Sequence, residues 1–395
     1  MLDAILDWLS REGTVFLSWW LLVTLAGAAV LPLCWRLLGA LPDKGYTLAR
    51  AVGLLLTGFV FWLLANFGFL QNTPGSMVMA WLLVLLISVS AHFYLPGASI
   101  QLREYWRENR GVILSTELLF FVLLLGWSIF RAFQNDTFST EKPMEMAFIS
   151  GIMRSETFPP NDAWLAGFSI SYYYFGYVMT AMLSMLSGVS SGVGFSMINA
   201  LMFALTGITA FGVAYNLVRS RTLTIANRVA GQTPALLTGM LALVFVILLS
   251  NYQAPLVEIP YQTGAISQQT LDVWGHQGRF EAPPESYTGS PTPDGWDRWW
   301  WFRASRVLTD FNLDGTQSGI QPIDEFPQFS FLLSDNHPHV LALPFVLLSL
   351  GMALNLLLMN RNPNRYEWLF YGIVIGGLIF LNTWDGPIHL VIVVG

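Results

Sequence analysis

Long stretches of uncharged, apolar residues constrain this chain more than any other feature of its sequence. A helix needs about 20 apolar residues to cross the hydrocarbon core of a membrane, and several runs approach that length. Only 11% of the residues are charged and 54% are hydrophobic, whereas an ordinary soluble domain has about 25% charged residues. We therefore expect an all-α fold, a polytopic transmembrane helical bundle, because lipid offers no partner for an unpaired amide.

Eight apolar runs are predicted to span the membrane: 14–38, 51–69, 77–94, 112–130, 195–218, 234–249, 340–358 and 368–384. The first run is too long for a signal-peptide core, so we expect it to stay as a membrane helix. The chain stops inside a further apolar run, which predicts that the natural protein continues beyond Gly395. The net charge of −6 argues against nucleic acid as a partner.

Basic residues concentrate in four of the loops between these runs. Such loops favour the cytoplasmic side; their basic residues are Arg36, Lys44, Arg50, Arg103, Arg107, Arg110, Arg219, Arg221, Arg228, Arg361 and Arg365. Acidic residues predominate in the two other polar segments, 131–165 and 251–335. We therefore expect two large outer loops on the non-cytoplasmic side of the cell membrane.

Residues 168–185 are apolar enough to cross the membrane, and hydropathy alone favours a span. A crossing there would place the basic loop at 219–228 outside and the two acidic loops on opposite faces. We therefore expect an in-plane juxtamembrane helix at the outer interface. Tyrosine favours that position, and the run contains Tyr172, Tyr173, Tyr174 and Tyr177.

The first outer loop carries carboxylates in a pattern suited to acid–base chemistry. Thr140 is predicted to cap a short helix in which Glu141 and Glu145 lie four residues apart on one face. Carboxylates so placed repel each other, which raises one pKa or requires a cation between them. Lys142, Arg131 or a divalent metal would supply that charge. A solvated, capped helix explains the same pattern equally well.

The second outer loop combines tryptophans at 296 and 299–301 with nearby arginines that include Arg303 and Arg306. Aromatic faces and guanidinium groups suit a sugar bound beside a phosphate. An aromatic belt at the membrane interface explains the tryptophans equally well.

Asp335, His337 and His339 form the sharpest local pattern, at the start of a predicted span. One carboxylate and two imidazoles can bind a metal, carry protons or donate to a phosphate. The structural alternative is a helix start with Asp335 as the cap and Pro338 in the first turn. We favour a functional site, because capping needs no histidine. Asp385, at the outer end of the last span, is expected to face the same cavity.

Several motifs after residue 131 closely resemble the YYY membrane protein family, which is named for a tyrosine triplet and has no settled function. They read EKPM from Glu141, FPP from Phe158, YYYFGY from Tyr172, EFP from Glu325, HPH from His337 and NTWD from Asn382. Two positions depart from the family pattern. Glu145 stands where the family has Asp, and Asn336 stands where it usually has an apolar residue.

The YYY family is in turn similar to the GT-C superfamily of multi-spanning glycosyltransferases, which take a sugar from a polyprenyl-phosphate donor. This resemblance implies a GT-C-like membrane core at 112–395, with outer loops 131–165 and 251–335, after an N-terminal three-helix membrane segment at 1–111. It also implies an acidic residue in the first outer loop, followed by in-plane helices. The likeness is one of architecture, which does not by itself establish function.

We accordingly expect an inverting membrane glycosyltransferase that binds the lipid bilayer and a lipid-linked sugar donor. The catalytic carboxylates would be Glu141 first, then Asp136, with Glu145 as a further candidate. Substrate binding is expected from Arg131, Lys142, Tyr172, Tyr173, Tyr174, Arg303, Arg306 and Asp385. A divalent metal, Mg or Mn, or the donor phosphate would be held by Asp335, His337 and His339.

Two other functions fit the sequence. A transporter or channel would explain the many spans and Glu117, a carboxylate inside the fourth predicted span. Transporters place their polar groups near mid-membrane, whereas most of those found here lie in loops. A non-catalytic membrane scaffold is the third possibility, and it would leave Glu141, Asp335 and His337 scattered in space.

Overall fold

The computed structural model of this protein describes residues 2–95, 101–134, 136–225, 232–274, 304–306, 308, 310–319 and 322–395. The regular elements among these residues are helices. Extended pairing in the described part of the chain is limited to two isolated bridges, Asn161 with Ser169 and Phe311 with Gln317. The all-α prediction is therefore confirmed.

Eleven α-helices carry the first and last parts of the described chain. They are α1 (Leu2–Leu37), α2 (Ala49–Asn66), α3 (Pro74–Tyr94), α4 (Leu102–Phe133), α5 (Lys142–Arg154), α6 (Phe175–Ser187), α7 (Ser191–Ile225), α8 (Thr233–Leu243), α12 (Pro338–Leu358), α13 (Arg365–Leu381) and α14 (Asp385–Val394). Three short helices lie between α8 and α12 in the sequence: α9 (Ile259–Gln262), α10 (Gln268–Val273) and α11 (Pro327–Leu333).

Six of the described helices are long and apolar enough to cross a membrane, namely α1, α2, α3, α4, α7 and α12. They coincide with six of the eight predicted spans. The other two predicted spans coincide with shorter helices: 234–249 with α8 and the π-helical Val244–Leu249, and 368–384 with α13, which ends at Leu381. The polytopic helical architecture follows from the apolar runs, as expected.

Helix α7 lies at the centre of the bundle, since it packs against α4, α8 and α12 and its most apolar stretch is almost entirely buried. Helix α3 shows the opposite environment. It turns large apolar side chains outward, among them Leu82, Leu86 and Phe93. An outer surface of this composition suits lipid rather than water.

Helices α1 and α2 approach closely at a pair of glycines. A Cβ atom on Gly53 would lie 2.3 Å from the carbonyl oxygen of Ala26, and one on Gly27 would lie 2.9 Å from Cγ of Arg50. Side chains at these positions would push the helices apart. Small residues allow backbones to approach in this way in membrane proteins.

Glu117, the carboxylate inside the fourth predicted span, belongs to a charged contact between α2 and α4. Its Oε2 lies 2.5 Å from Nη2 of Arg50, and its Oε1 accepts a hydrogen bond from the Tyr46 hydroxyl at 2.8 Å. The Arg50 guanidinium also lies 4.5 Å from the centre of the Phe120 ring. These partners satisfy Glu117 within the protein, so it has a structural role.

The predicted in-plane helix at 168–185 begins too early. Residues 168–174 are not helical, and α6 starts only at Phe175. Most of α6 is buried, because it packs against α2, α5 and α7. At 13 residues it is shorter than the six membrane-length helices, and its in-plane orientation stays a prediction.

The chain divides into two compact units, residues 1–243 with 334–395, and residues 244–333. The first unit contains all six membrane-length helices. The second has a small apolar core of Val257, Tyr261 and Leu271. The division predicted at residues 111 and 112 falls inside α4 and stays a prediction.

Candidate functional site

Two segments 191 positions apart meet at the starts of two helices in the first unit. The backbone N–H of Asn336 donates to Oε2 of Glu145 at 2.8 Å, across that separation. Glu145 lies in the first turn of α5, and Asn336 lies just before α12. The charged residues of both segments are therefore gathered at one place.

Helix α5 is the short helix predicted in the first loop, but its cap is not the predicted one. Glu141 occupies the N-cap position without a side-chain cap, and Pro143 lies in the first turn. Thr140 instead has a left-handed backbone with φ of 57°. The turn leaves the Glu141 side chain outside the helix, 55% exposed.

His337 lies at the centre of a cluster that we call the carboxylate–histidine cluster: Glu141, Glu145, Asp335 and His337. Its Nε2 is 2.6 Å from Oε2 of Glu141. Its Nδ1 is 3.6 Å from Oδ2 of Asp335 and 3.9 Å from Oε1 of Glu145. The group expected between the two glutamates was Lys142, Arg131 or a metal, and the structure places this imidazole there.

Burial separates the acidities of the two inner carboxyl groups. Glu145 is fully buried and Asp335 is nearly so. The pKa of Glu145 is raised well above its ordinary value, first by burial and then by the Asp335 charge. Burial also opposes ionisation of Asp335, but hydrogen bonds with His337, Glu145 and Thr140, together with the His337 charge, lower the Asp335 pKa. Glu145 is therefore the carboxyl group that binds a proton first as the pH falls.

The start of α12 also departs from the predicted capping arrangement. His337 rather than Asp335 occupies the N-cap position, without a side-chain cap, and Pro338 lies in the first turn. The carboxylate of Asp335 is thereby directed to the cluster. His339 stacks on His337, with ring centres 5.6 Å apart.

Two buried cations, Arg131 and Lys142, adjoin the cluster. Arg131 Nη1 donates to the Gln134 carbonyl and to the Ser334 hydroxyl. Its Nε and Nη2 are buried and have no hydrogen-bond partner among the described residues. An arginine so placed retains donors for an anion, and phosphate suits the guanidinium group.

Lys142 is only 2% exposed, and its Nζ donates to the Ser139 hydroxyl at 2.9 Å. Burial lowers the pKa of Lys142, while Asp136 opposes the shift. Asp136 itself accepts from the Ser139 hydroxyl at 2.5 Å and from the Phe138 N–H at 3.0 Å. These bonds, with the Ser139 contact largest, lower the pKa of Asp136 to about 2.

The tyrosine triplet divides between the cluster and the core. Tyr172 packs on Phe148 of α5, and burial and the Glu141 charge raise its pKa to about 12. Tyr173 lies against Tyr172, with ring centres 4.7 Å apart. Tyr174 turns away and accepts a hydrogen bond from the Trp62 indole at 3.1 Å. Tyr172 and Tyr173 are thus the members available to a ligand near the cluster.

Three predicted substrate-binding residues have no described contact with the cluster, each for a different reason. Asp385 accepts a hydrogen bond from Asn382 at 3.0 Å at the start of α14, and no described contact joins it to His337. Arg306 belongs to the second unit and donates to Ser305. Arg303 and the predicted tryptophans lie outside the described residues.

Sequence reasoning missed the residues that hold the two segments in place. Asn336 accepts from Asn199 at 3.2 Å and donates to the Phe195 carbonyl at 2.9 Å, which ties the start of α12 to α7. Asn199 in turn accepts from the Trp127 indole at 3.0 Å. An asparagine in the middle of an apolar helix is unusual enough to have drawn attention to Asn199.

A family model matches most of this chain. The family described as uncharacterized membrane protein, DUF2298, matches residues 56–395, which include the whole carboxylate–histidine cluster. Searches among curated proteins and among solved structures find no match. Membrane location is therefore supported, whereas the sides of the loops and the likenesses to the YYY family and to GT-C enzymes stay predictions. This chain belongs to the DUF2298 family of uncharacterized membrane proteins.

Proposed function

We propose that this protein is an inverting glycosyltransferase that moves a sugar from a polyprenyl-phosphate donor to an acceptor hydroxyl at the outer membrane face. The observation that carries the proposal is the meeting of Glu141 and His337, 2.6 Å apart, beside the buried cations Arg131 and Lys142. Sugar transfer from a phosphate needs both a proton acceptor and cations that stabilise the leaving group.

Glu141 is the proton acceptor in this proposal. Its carboxylate is exposed enough to meet a substrate, while its bond to His337 Nε2 fixes its orientation. As the acceptor hydroxyl attacks the anomeric carbon, its proton passes to Glu141 and the bond to the phosphate breaks. Asp136 is the weaker choice, because a group with a pKa of about 2 is a poor base at neutral pH.

Arg131 and Lys142 receive the departing lipid phosphate. Two nitrogen atoms of Arg131 are buried without a described partner, so a phosphate oxygen can accept from them without displacing another bond. The Lys142 ammonium group is held by Ser139 and Asp136. Fixed cations of this kind stabilise charge that develops in the transition state.

Tyr172 and Tyr173 supply an aromatic surface for the sugar. Their rings lie next to each other, and both side chains are partly exposed. Apolar sugar faces stack on such rings, and the hydroxyl groups remain free for hydrogen bonds. Tyr172 lies close enough to Glu141 for the carboxylate charge to contribute to its raised pKa. The aromatic surface is therefore near the proton acceptor.

The outer-face location rests on the distribution of basic residues in the loops. A donor carried on a membrane lipid would reach a site at the end of α4 and the start of α12 from within the bilayer. Arg131, in the last turn of α4, and His337, at the start of α12, both lie at such helix ends.

A transporter is the alternative function, and the main residue in its favour was Glu117, the carboxylate inside a predicted span. Glu117 is paired with Arg50 and Tyr46, so its charge is already compensated by neighbours within the protein. The charged groups that do remain accessible lie at helix ends, which favours surface chemistry over passage through the bilayer.

Membranes containing the protein, incubated with radiolabelled polyprenyl-phosphate sugars, test the proposal. Wild type should transfer label to an endogenous acceptor, and Glu141→Gln should reduce transfer at least about 100-fold, as loss of a general base does. Glu156→Gln is the matched control, because Glu156 is an exposed carboxylate in the same loop. Equal transfer by wild type and Glu141→Gln would remove Glu141 from the mechanism, and no transfer by any protein would favour the rival functions.

A further inference from the structure

We infer that Glu145, Asp335 and His337 bind one divalent metal ion, with Glu141 as the outer partner that orients His337. One side-chain donor atom from each of the three residues lies within 4.8 Å of the others. The site is that of the proposed function, and a role of the metal in the reaction rests on that proposal. Metal binding itself is measured without any sugar substrate.

The distances suit a common ion. Donor atoms bound to one metal at about 2.0–2.2 Å lie at most about 4.4 Å from one another. His337 Nδ1 already satisfies this limit with Asp335 Oδ2 at 3.6 Å and with Glu145 Oε1 at 3.9 Å. The donor atoms of the remaining pair, Glu145 and Asp335, lie within 4.8 Å of each other.

The two carboxylates are buried, and one oxygen of each lacks a hydrogen-bond donor among the described residues. Glu145 is 0% exposed and Asp335 is 3% exposed. Glu145 Oε1 and Asp335 Oδ1 have no hydrogen-bond partner among the described residues. Buried carboxylates are ordinarily paired with a cation or bound to a metal, so this pair leaves room for a positive charge.

The nearby protein cations make their described hydrogen bonds to other groups. The described hydrogen bonds of Arg131 go to Gln134 and Ser334. Those of Lys142 go to Asp136 and Ser139. Neither side chain makes a described ion pair with Glu145 or Asp335.

Glu141 prepares His337 for metal binding. Because Glu141 Oε2 lies 2.6 Å from His337 Nε2, the ring proton resides on Nε2 and the lone pair of Nδ1 faces the buried carboxylates. A carboxylate behind a histidine ligand is the usual arrangement in metal sites, where it fixes the tautomer and strengthens the ligand.

The donor set selects among metals. Carboxylates alone suit Mg²⁺ and Ca²⁺, while an imidazole shifts preference toward transition ions. Two carboxylates and one imidazole therefore favour Mn²⁺ over Mg²⁺ and Ca²⁺. Three protein ligands leave further coordination positions, and in the proposed reaction phosphate oxygens of the donor would occupy them.

The test uses the purified full chain in lipid nanodiscs, stripped with a chelator and titrated with Mn²⁺. Electron paramagnetic resonance measures free Mn²⁺, and electron spin-echo modulation detects a coordinated imidazole nitrogen. We expect one tightly bound Mn²⁺ per chain with a nitrogen coupling that His337→Ala abolishes. Glu145→Gln should weaken binding at least tenfold, whereas Glu145→Asp should retain a carboxylate ligand and most of the affinity.

Changes at buried Glu145 could prevent folding, so Glu141→Gln is a second test. Glu141 is exposed, and its substitution should leave the fold intact. Loss of an outer partner weakens metal binding about 10–100-fold, and the Glu156→Gln control should leave affinity unchanged. Absence of bound Mn²⁺ in wild type, or binding that Glu145→Gln, His337→Ala and Glu141→Gln leave unaltered, would overturn the inference. Tight Mn²⁺ binding without sugar transfer would support the metal site and remove only the transferase proposal.

Discussion

Asn336→Leu is expected to destabilise the folded protein by about 1–4 kcal/mol, although it changes no charge. The substitution removes one hydrogen bond from Asn199 at 3.2 Å and one to the Phe195 carbonyl at 2.9 Å. Each bond contributes about 1 kcal/mol, and the buried Asn199 amide left without a partner costs about 1–3 kcal/mol. Leucine at this fully buried position recovers about 1–2 kcal/mol through apolar burial.

A double-mutant cycle with Asn199→Leu isolates the contact between the two asparagines. Interhelical hydrogen bonds in membrane proteins have coupling energies of about 0.6 kcal/mol, and at most about 1.7 kcal/mol. We expect a value in the upper part of that range, because both side chains are fully buried. Unfolding in increasing sodium dodecyl sulfate, followed by tryptophan fluorescence, measures the free energies. Strict additivity of the two substitutions, or Asn336→Leu stability equal to wild type, would refute the assigned anchoring role.

Three further predictions address packing, charge and pH. Gly53→Ala should destabilise the protein by about 1–3 kcal/mol through overpacking, because the new Cβ atom would meet the Ala26 carbonyl. Gly126→Ala should be nearly neutral, since nothing lies within 4 Å of a Cβ atom there. The melting temperatures of the two variants test this difference. Glu117→Leu should lower stability by about 3 kcal/mol, because it leaves Arg50 unpaired. Adding Arg50→Leu to the same chain should restore much of the lost stability. An unchanged melting temperature for Glu117→Leu would contradict this pairing. Because its pKa is lowered, Asp136 stabilises the folded protein above about pH 4, and this contribution is lost as the pH falls toward about 2. The melting-temperature difference between wild type and Ser139→Ala should therefore shrink over that interval. A difference independent of pH would contradict the assigned bond.

The membrane helices could be predicted from the sequence because length and apolarity alone decide whether a helix can span. All eight predicted runs coincide with helices, including α7 and α12. Boundaries were less accurate. The run at 168–185 contains no charged residue, and its apolar length alone did not mark Phe175 as the first helical residue.

The candidate site could be predicted only in part. Motif chemistry identified Glu141, Asp335 and His337, which the structure brings together. The residue between the two glutamates was not foreseen, because a helix face determines neighbours four positions apart and not which distant side chain packs onto it. Asn336 was noted only as a departure from a family pattern, yet it holds the second segment against α7.

Site-directed cross-linking measures most directly whether the two segments form one site. The protein has a single cysteine, Cys34, so Glu141→Cys and His337→Cys in a Cys34→Ser chain provide the only reactive pair. Mild oxidation in native membranes, followed by mass spectrometry of the linked peptides, should detect an intrachain disulfide at high yield. The pair of Asp385→Cys with His337→Cys should remain largely unlinked. Absence of a link between positions 141 and 337 in folded protein would contradict the common site, and with it both the proposed transfer reaction and the metal ion.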